Sequence, residues 1–348
     1  MTNTNLYIDF HVLQTVPPSC VNRDDTGSPK SAIYGGVSRA RVSSQAWKRA
    51  IRVMFSDVFE REDVGVRTKK LIDLLANIIV EKQNSSKEEA EKMAKAALEL
   101  AGFKIGKKND VDALFFISHK QAEALADLII ADNKNKADYA QALRDYPAID
   151  IAMFGRMVAS DPSLNFDAAV QVAHSISTHA VQNEYDYFTA VDDMSAEDNA
   201  GAGHLGTIEF DSATLYRYAT INVVELKKNL KEDTTRAIQG FAKAFVQSMP
   251  TGKQNTFANR TLPDLIYVTV RNDQPINLCG AFERPIPPSV NGFVDKSADE
   301  LVKYAKKVYS DFAVEPAKAY IVGRKEDGFA EPISMTQLLE QLEKVLQD

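Results

Sequence analysis

The chain of 348 residues has two cysteines and one tryptophan. Cys20 and Cys279 are too far apart to form a metal-ligand pattern, and so low a count implies a reducing compartment and no disulfide framework. No apolar run nears the ~18 residues needed to cross a bilayer. The opening MTNTNLYIDF lacks the basic and apolar regions of a secretory signal. Neither GxGxxG nor GxxxxGK[ST] occurs, which removes the usual nucleotide folds. The HExxH pattern, the EF-hand order and serine or cysteine nucleophile signatures are missing as well. His174, His179 and His204 fit no zinc spacing, so packed or hydrogen-bonded histidines are expected there rather than a metal, and no cofactor is expected.

Excess positive charge is also missing: the formal net charge is −7. That argues against a protein that coats nucleic acid indiscriminately, though not against one with a focused basic groove. One stretch departs from the rest. Between Asp25 and Asp57 there is no acid, while Lys30, Arg39, Arg41, Lys48, Arg49 and Arg52 all fall there. Taking those six from the 41 Lys+Arg leaves 35 against 48 acids, or −13. Within the stretch, Gly35-Gly36 is a turn signal that also permits close backbone approach to phosphate. Ser43 or Ser44 caps a helix whose first N–H groups favour an anion. On that helix Trp47, Ala50, Ile51 and Met54 share one stripe, and Gln45, Lys48, Arg49 and Arg52 share the opposite one. An ordinary solvated face would interleave acids at i±3 or i±4; this one has none. The segment therefore reads as a polyanion-binding element.

Elsewhere, residues 6–13 alternate as a half-buried strand ended by Pro17-Pro18. Helices are predicted over 69–83, 87–101 (behind an SSKEE capping box) and 120–131. Strands are predicted over 36–42, 149–157, 168–178, 207–222 and 264–271, and further helices over 235–249, 297–309 and 334–347. Residues 181–205 hold six acids and no Lys or Arg, closing with NAGAG. The mixed order predicts an α+β fold on a small antiparallel sheet. Asp24-Asp25 could hold a divalent ion for RNA cleavage; capping of a turn is the plainer expectation.

The stretch SCVNRDDTGSPKSAIYGGVSRARVSSQAWKRAIR, then DIAMFGRM, AHSISTHAVQNEYDYFTAVDD, AGHLGTIEFDSATLYRYATIN and GKQNTFA, in that order, resembles the CasC (Cse-type) backbone subunit of the type I-E CRISPR surveillance complex, Cascade. The resemblance implies an RRM-like (ferredoxin-like) palm from residues 1–56 and 147–348, helical fingers inserted at 57–146, and a thumb hairpin at 181–205. It implies a non-catalytic prokaryotic cytoplasmic protein. Several copies would stack head-to-tail along a CRISPR guide RNA and present it in segments for pairing with target DNA. Large, small, 5′-handle-binding and guide-processing subunits would complete the assembly. Carried across, Arg23, Lys30, Gly35, Gly36, Arg41, Ser43, Gln45, Lys48, Arg49 and Arg52 would grip the guide backbone. Lys253, Gln254, Asn255 and Thr256 would add a palm loop, and Met157 would sit against a displaced base. Tyr185, Tyr187, Phe188, Met194 and His204 belong to the thumb, where the acids Asp192, Asp193, Glu197 and Asp198 are expected to face a neighbouring subunit or repel misplaced strands. The readings from other classes are a metal-dependent ribonuclease using Asp24 or Asp25, and a free single-stranded RNA-binding regulator.

Overall fold

The structure is a computed structural model that describes residues 5–158, 161–190, 194, 204–325 and 328–347. The strands are β1 (Tyr7–Ser19), β2 (Ser31–Tyr34), β3 (Val37–Val42), β4 (Val66–Thr68), β5 (Phe115–Ile117), β6 (Val170–Val172), β7 (Ser175–Ser177), β8 (Glu184–Ala190), β9 (His204–Asn222), β10 (Leu265–Arg271), β11 (Lys318–Val322) and β12 (Glu331–Pro332). The helices are α1 (Ser44–Val58), α2 (Leu71–Gln83), α3 (Lys87–Ala101), α4 (His119–Ile130), α5 (Lys136–Arg144), α6 (Ile149–Phe154), α7 (Val223–Leu230), α8 (Thr234–Gln247), α9 (Gln254–Phe257), α10 (Val294–Asp311) and α11 (Met335–Gln347). The chain divides into two compact units. One comprises residues 1–51, 172–220 and 242–348, the other 52–171 and 221–241.

The first unit is built on a sheet of order β12-β11-β10-β1-β9-β7-β3-β2. β1–β10, β10–β11, β2–β3, β3–β7 and β7–β9 pair antiparallel, and β11–β12 pairs parallel. The expected half-buried first strand is instead buried on both faces from Ile8 to Gln14, because apolar side chains pack against it from both sides of the sheet. On one side Phe10 meets Phe245 edge-on, with ring centroids 6.0 Å apart. On the other, Leu13, Tyr216, Tyr267, Phe282, Leu301 and Ile321 form a core with α10. Pro17 and Pro18 do not end the strand. Pairing with β10 stops at Leu13, so the prolines sit where no N–H is owed on that side.

Polar groups inside this core titrate abnormally. Burial, with the Arg271 charge adding to it, holds the His11 imidazole down to about 3. Its Nδ1 lies 2.9 Å from the Tyr216 hydroxyl. Burial pushes the Asp9 carboxyl up to about 6 against the hydrogen bonds it accepts from the Ile276 N–H and Tyr218. A lowered histidine keeps its proton only in the unfolded chain, so it removes stability as pH falls below its ordinary value of 6.5. A raised carboxylate binds its proton first in the folded chain and acts in the opposite sense. Comparing His11→Phe with the unaltered protein isolates the histidine. The variant should gain about 1.4 kcal/mol of relative stability per pH unit between about pH 5.5 and 4. Denaturant titrations at several pH values would show it; a constant difference would contradict it.

The second unit is mainly helical around Leu71, Leu75, Ile79, Leu98, Leu125 and Ile129. Three of its helices follow their sequence signals closely, and Ser86 and Glu89 close the capping box ahead of α3. The expected strand over 149–157 is a correction: residues 149–154 form α6, which Gly155 ends at φ +77°. Its first five residues are all buried. A short apolar run buried all round has no polar face to reveal a helical period. The strand expected over 168–178 is split into β6 and β7, with the Ala173 N–H turned to the Tyr218 carbonyl.

Candidate nucleic-acid interface

The basic stretch begins in the first unit as a loop. Asp24 Oδ1 accepts from the Thr26 and Ser28 N–H groups and from the Thr26 hydroxyl, at 2.7–3.0 Å. Those bonds hold its carboxyl below the usual range, and it serves as a turn cap. Arg23 is exposed beside it. β2 and β3 then form a hairpin with Tyr34 opposite Val37. Gly35 and Gly36 are the turn, with φ +59° and +78°. Two positive φ values match the twist of paired strands, and only glycine adopts both cheaply. A Cβ on Gly35 would lie 1.7 Å from the Glu283 carbonyl oxygen. This glycine is packed against protein backbone instead of lying open to a phosphate; Gly36 has open space around it.

The cations of the stretch serve different ends. Arg39 is fully buried, donating to the carbonyls of Tyr34, Ser177, Phe282 and Glu283 at 2.8–3.3 Å. It is a clamp between β3, β7 and the 282–283 segment. Arg41, two residues on, donates from Nε to the Ser31 carbonyl at 3.0 Å and reaches His174 Nδ1 at 3.2 Å. Burial, then the Arg41 and Lys30 charges, lowers the His174 pKa. Neutral His174 therefore accepts at Nδ1, and Lys30, Arg41 and His174 form one partly exposed group.

Ser43 is the N-cap of α1: its Oγ accepts from the Ala46 N–H at 3.3 Å, and its own N–H donates to Asn22 Oδ1 at 2.9 Å. Being buried and occupied twice, it positions the helix start. Gln45 and Arg49 are exposed on the outer stripe and Lys48 is half-buried, while Trp47 anchors the inner stripe through Nε1 to Ser175 Oγ at 2.9 Å. The 252–258 loop, some 230 residues away in sequence, docks here. A Cβ on Gly252 would lie 2.0 Å from the Val21 carbonyl oxygen. Lys253 caps α9 with φ +51°, and Gln254, Asn255 and Thr256 are exposed. Phe257 meets Phe210 with ring centroids 5.8 Å apart.

Phe210 lies in β9, whose first part pairs with β8 as an exposed ribbon, Glu184 opposite Phe210 and Ala190 opposite His204. Tyr185 and Tyr187 share one face and are about two-thirds exposed. Phe188 lies on the other face across from Gly206, with its ring where a Cβ would be. An aromatic covering a cross-strand glycine stiffens a ribbon that is otherwise open to water. Met194 is exposed; Asp192, Asp193, Glu197 and Asp198 lie outside the described residues.

Two further candidates belong to the second unit. Arg52 Nε pairs with Asp150 Oδ2 at 2.9 Å, and its guanidinium lies 4.6 Å from the Phe116 ring. Asp150, raised by burial, also accepts from the Gly65 N–H. Met157 is exposed. Sequence reasoning did not single out Asn22 or Asp211; it expected His174 to be packed or hydrogen-bonded, and its contact with Arg41 is of that kind. No local signal marks Asn22 or Asp211, since the cleft they share with Lys30 and Arg41 is assembled from distant segments. Among the described residues no group of three His, Cys, Asp or Glu could hold a metal, and no helix is long and apolar enough to cross a membrane.

Comparison with known proteins gives a consistent picture. No curated protein matches the chain. A solved chain described as "CRISPR RNA-guided surveillance complex, pre-nicking" aligns with TM-score 0.82 and 30% identity, over 97% of this chain and 99% of that one. A second, "CRISPR RNA-guided surveillance complex", aligns with TM-score 0.66 and 28% identity over 98% and 99%. The CT1975-like protein family matches residues 8–347, and with nearly its whole length covered the chain belongs to that family.

Proposed function

We propose that the chain is a non-catalytic backbone subunit of a type I-E CRISPR surveillance complex, binding guide RNA by its sugar-phosphate backbone. The observation that carries this is the sorting of charge in the first unit. Lys30, Arg41 and Arg49 remain accessible on an acid-free stretch of an acidic protein, with Arg23 exposed just ahead of it. The similar solved chains come from RNA-guided complexes. Contacts of this kind fix a strand's path without reading bases, which suits a subunit that must accept any guide. Base reading is left to pairing with the target. The exposed β8–β9 ribbon supplies a thumb, and several copies along one guide present it to target DNA in segments. The use of Asp24 as a turn cap favours this reading over the ribonuclease.

Electrophoresis of the purified chain with RNAs of graded length tests it. Ladder-like complexes that grow with RNA length are expected, indifferent to sequence and unable to cleave RNA in Mg²⁺. Affinity should fall with salt at a slope of about 0.7 per neutralised phosphate. A single complex at every length would support a free RNA-binding regulator. Cleavage lost in Asp24→Asn or Asp25→Asn would support the ribonuclease.

A further inference from the structure

The charge arrangement described above leaves one acid unexplained. Asp211, just past the exposed part of β9, lines a small cleft with Asn22, Lys30, Arg41, Val21 and Ala213, all in the first unit. Among the described residues neither of its carboxylate oxygens accepts a hydrogen bond, and neither lies within ion-pair distance of a cation. Lys30 and Arg41 share the cleft but do not neutralise it, and burial alone sets its pKa, pushed up to about 6. Asp211 is half-buried, and a carboxyl so placed without partners is costly to leave unpaired and normally finds a donor.

Asn22 is its complement. Its Oδ1 is committed to the Ser43 N–H at 2.9 Å, which fixes the amide orientation and leaves Nδ2 as a donor. Nδ2 has no acceptor among the described residues. The cleft thus contains one unused acceptor and one unused donor. Its free space is about 20 Å³, the room of one water or one hydroxyl group. A phosphate would be both too large and repelled by the acid. A hydroxyl, which donates and accepts at once, is the complementary group.

We propose that this cleft receives a ribose 2′-hydroxyl of the bound strand, which donates to Asp211 and accepts from Asn22, so that Asp211 makes the basic groove selective for RNA over DNA. The proposal rests on the backbone-binding reading above. Lys30 and Arg41, which line the same cleft, take the phosphates, and the acid penalises any backbone that brings no hydroxyl donor. Neither a basic groove nor a helix start could make that distinction, because DNA and RNA carry the same phosphates; the 2′-hydroxyl is the chemical difference available.

The test compares binding of one sequence as RNA, 2′-fluoro RNA and DNA by the full chain, alongside Asp211→Ala and Asp211→Asn. The 2′-fluoro strand keeps an RNA-like sugar pucker and loses the donor. RNA should bind the unaltered protein about tenfold or more tighter than 2′-fluoro RNA, the usual effect of a hydrogen bond to a charged group. In Asp211→Ala that ratio should fall towards one with the salt slope unchanged. Asp211→Asn, which keeps the size and an acceptor, should retain part of it. An unchanged ratio in Asp211→Ala would mean that the cleft holds only a water and would overturn the proposal. Equal tightening of all three strands would also overturn it, since the acid would then merely repel phosphate. Loss of the backbone-binding reading looks different: no strand would bind with a salt slope at all.

Discussion

Lys30→Glu combined with Arg49→Glu is expected to weaken single-stranded RNA binding on the order of a hundredfold at about 0.1 M salt. The loss should be the same for every sequence. Both residues belong to the first unit, and no ion pair joins either to an acid among the described residues. Each reversal removes an attraction to a phosphate and adds a repulsion. The same change should flatten the dependence of log affinity on log salt by about 1.4, twice the single-strand value per phosphate. Melting should change little, because neither side chain is buried. Filter binding at three salt concentrations, with two unrelated sequences, measures all of this. A loss confined to one sequence would show base reading and contradict the backbone-only mechanism.

Arg39→Met should have the opposite profile, with a large loss of stability. The guanidinium is completely buried and serves four carbonyl oxygens from three segments. Burial lowers its pKa, yet the group stays charged and draws its compensation from those oxygens. Methionine fills some of the volume but donates nothing, so the carbonyls are left dry and unpaired. A loss of about 3–5 kcal/mol is expected, the range for disrupting a buried charged network. The β2–β3 hairpin should detach first, since Arg39 joins it to Ser177 and Phe282. Denaturant unfolding gives the magnitude, and hydrogen exchange on residues 31–42 gives the location. A change below about 1 kcal/mol would mean that water replaces the guanidinium there.

Lys30, Arg49 and Arg39 come from one basic stretch and differ in what sequence shows of them. The resemblance found in ordered motifs is matched by the family and by the solved relatives. The α+β class, the capping box before α3, the long β9 strand and the serine-capped α1 were legible because each depends on neighbours within a few residues. α6 was not, since complete burial of its first five residues hides its period. The glycine pair was legible as a turn; its close packing against Glu283 was not, because the contact spans about 250 residues.

The sequence by itself determined that this acidic chain gathers six cations and no acid between Asp25 and Asp57, and hence that an anion should be held there. It could not say which cations are free to do so. Arg39 and Arg41 are two apart on one strand and should face the same way, yet one is buried under the 282–283 segment and the other meets His174 at the partly exposed edge. Arg52, on the outer stripe of α1, is claimed by Asp150 almost a hundred residues on. Charge is a property of composition, whereas its availability depends on burial and pairing. Those were decided by segments that only folding brings together.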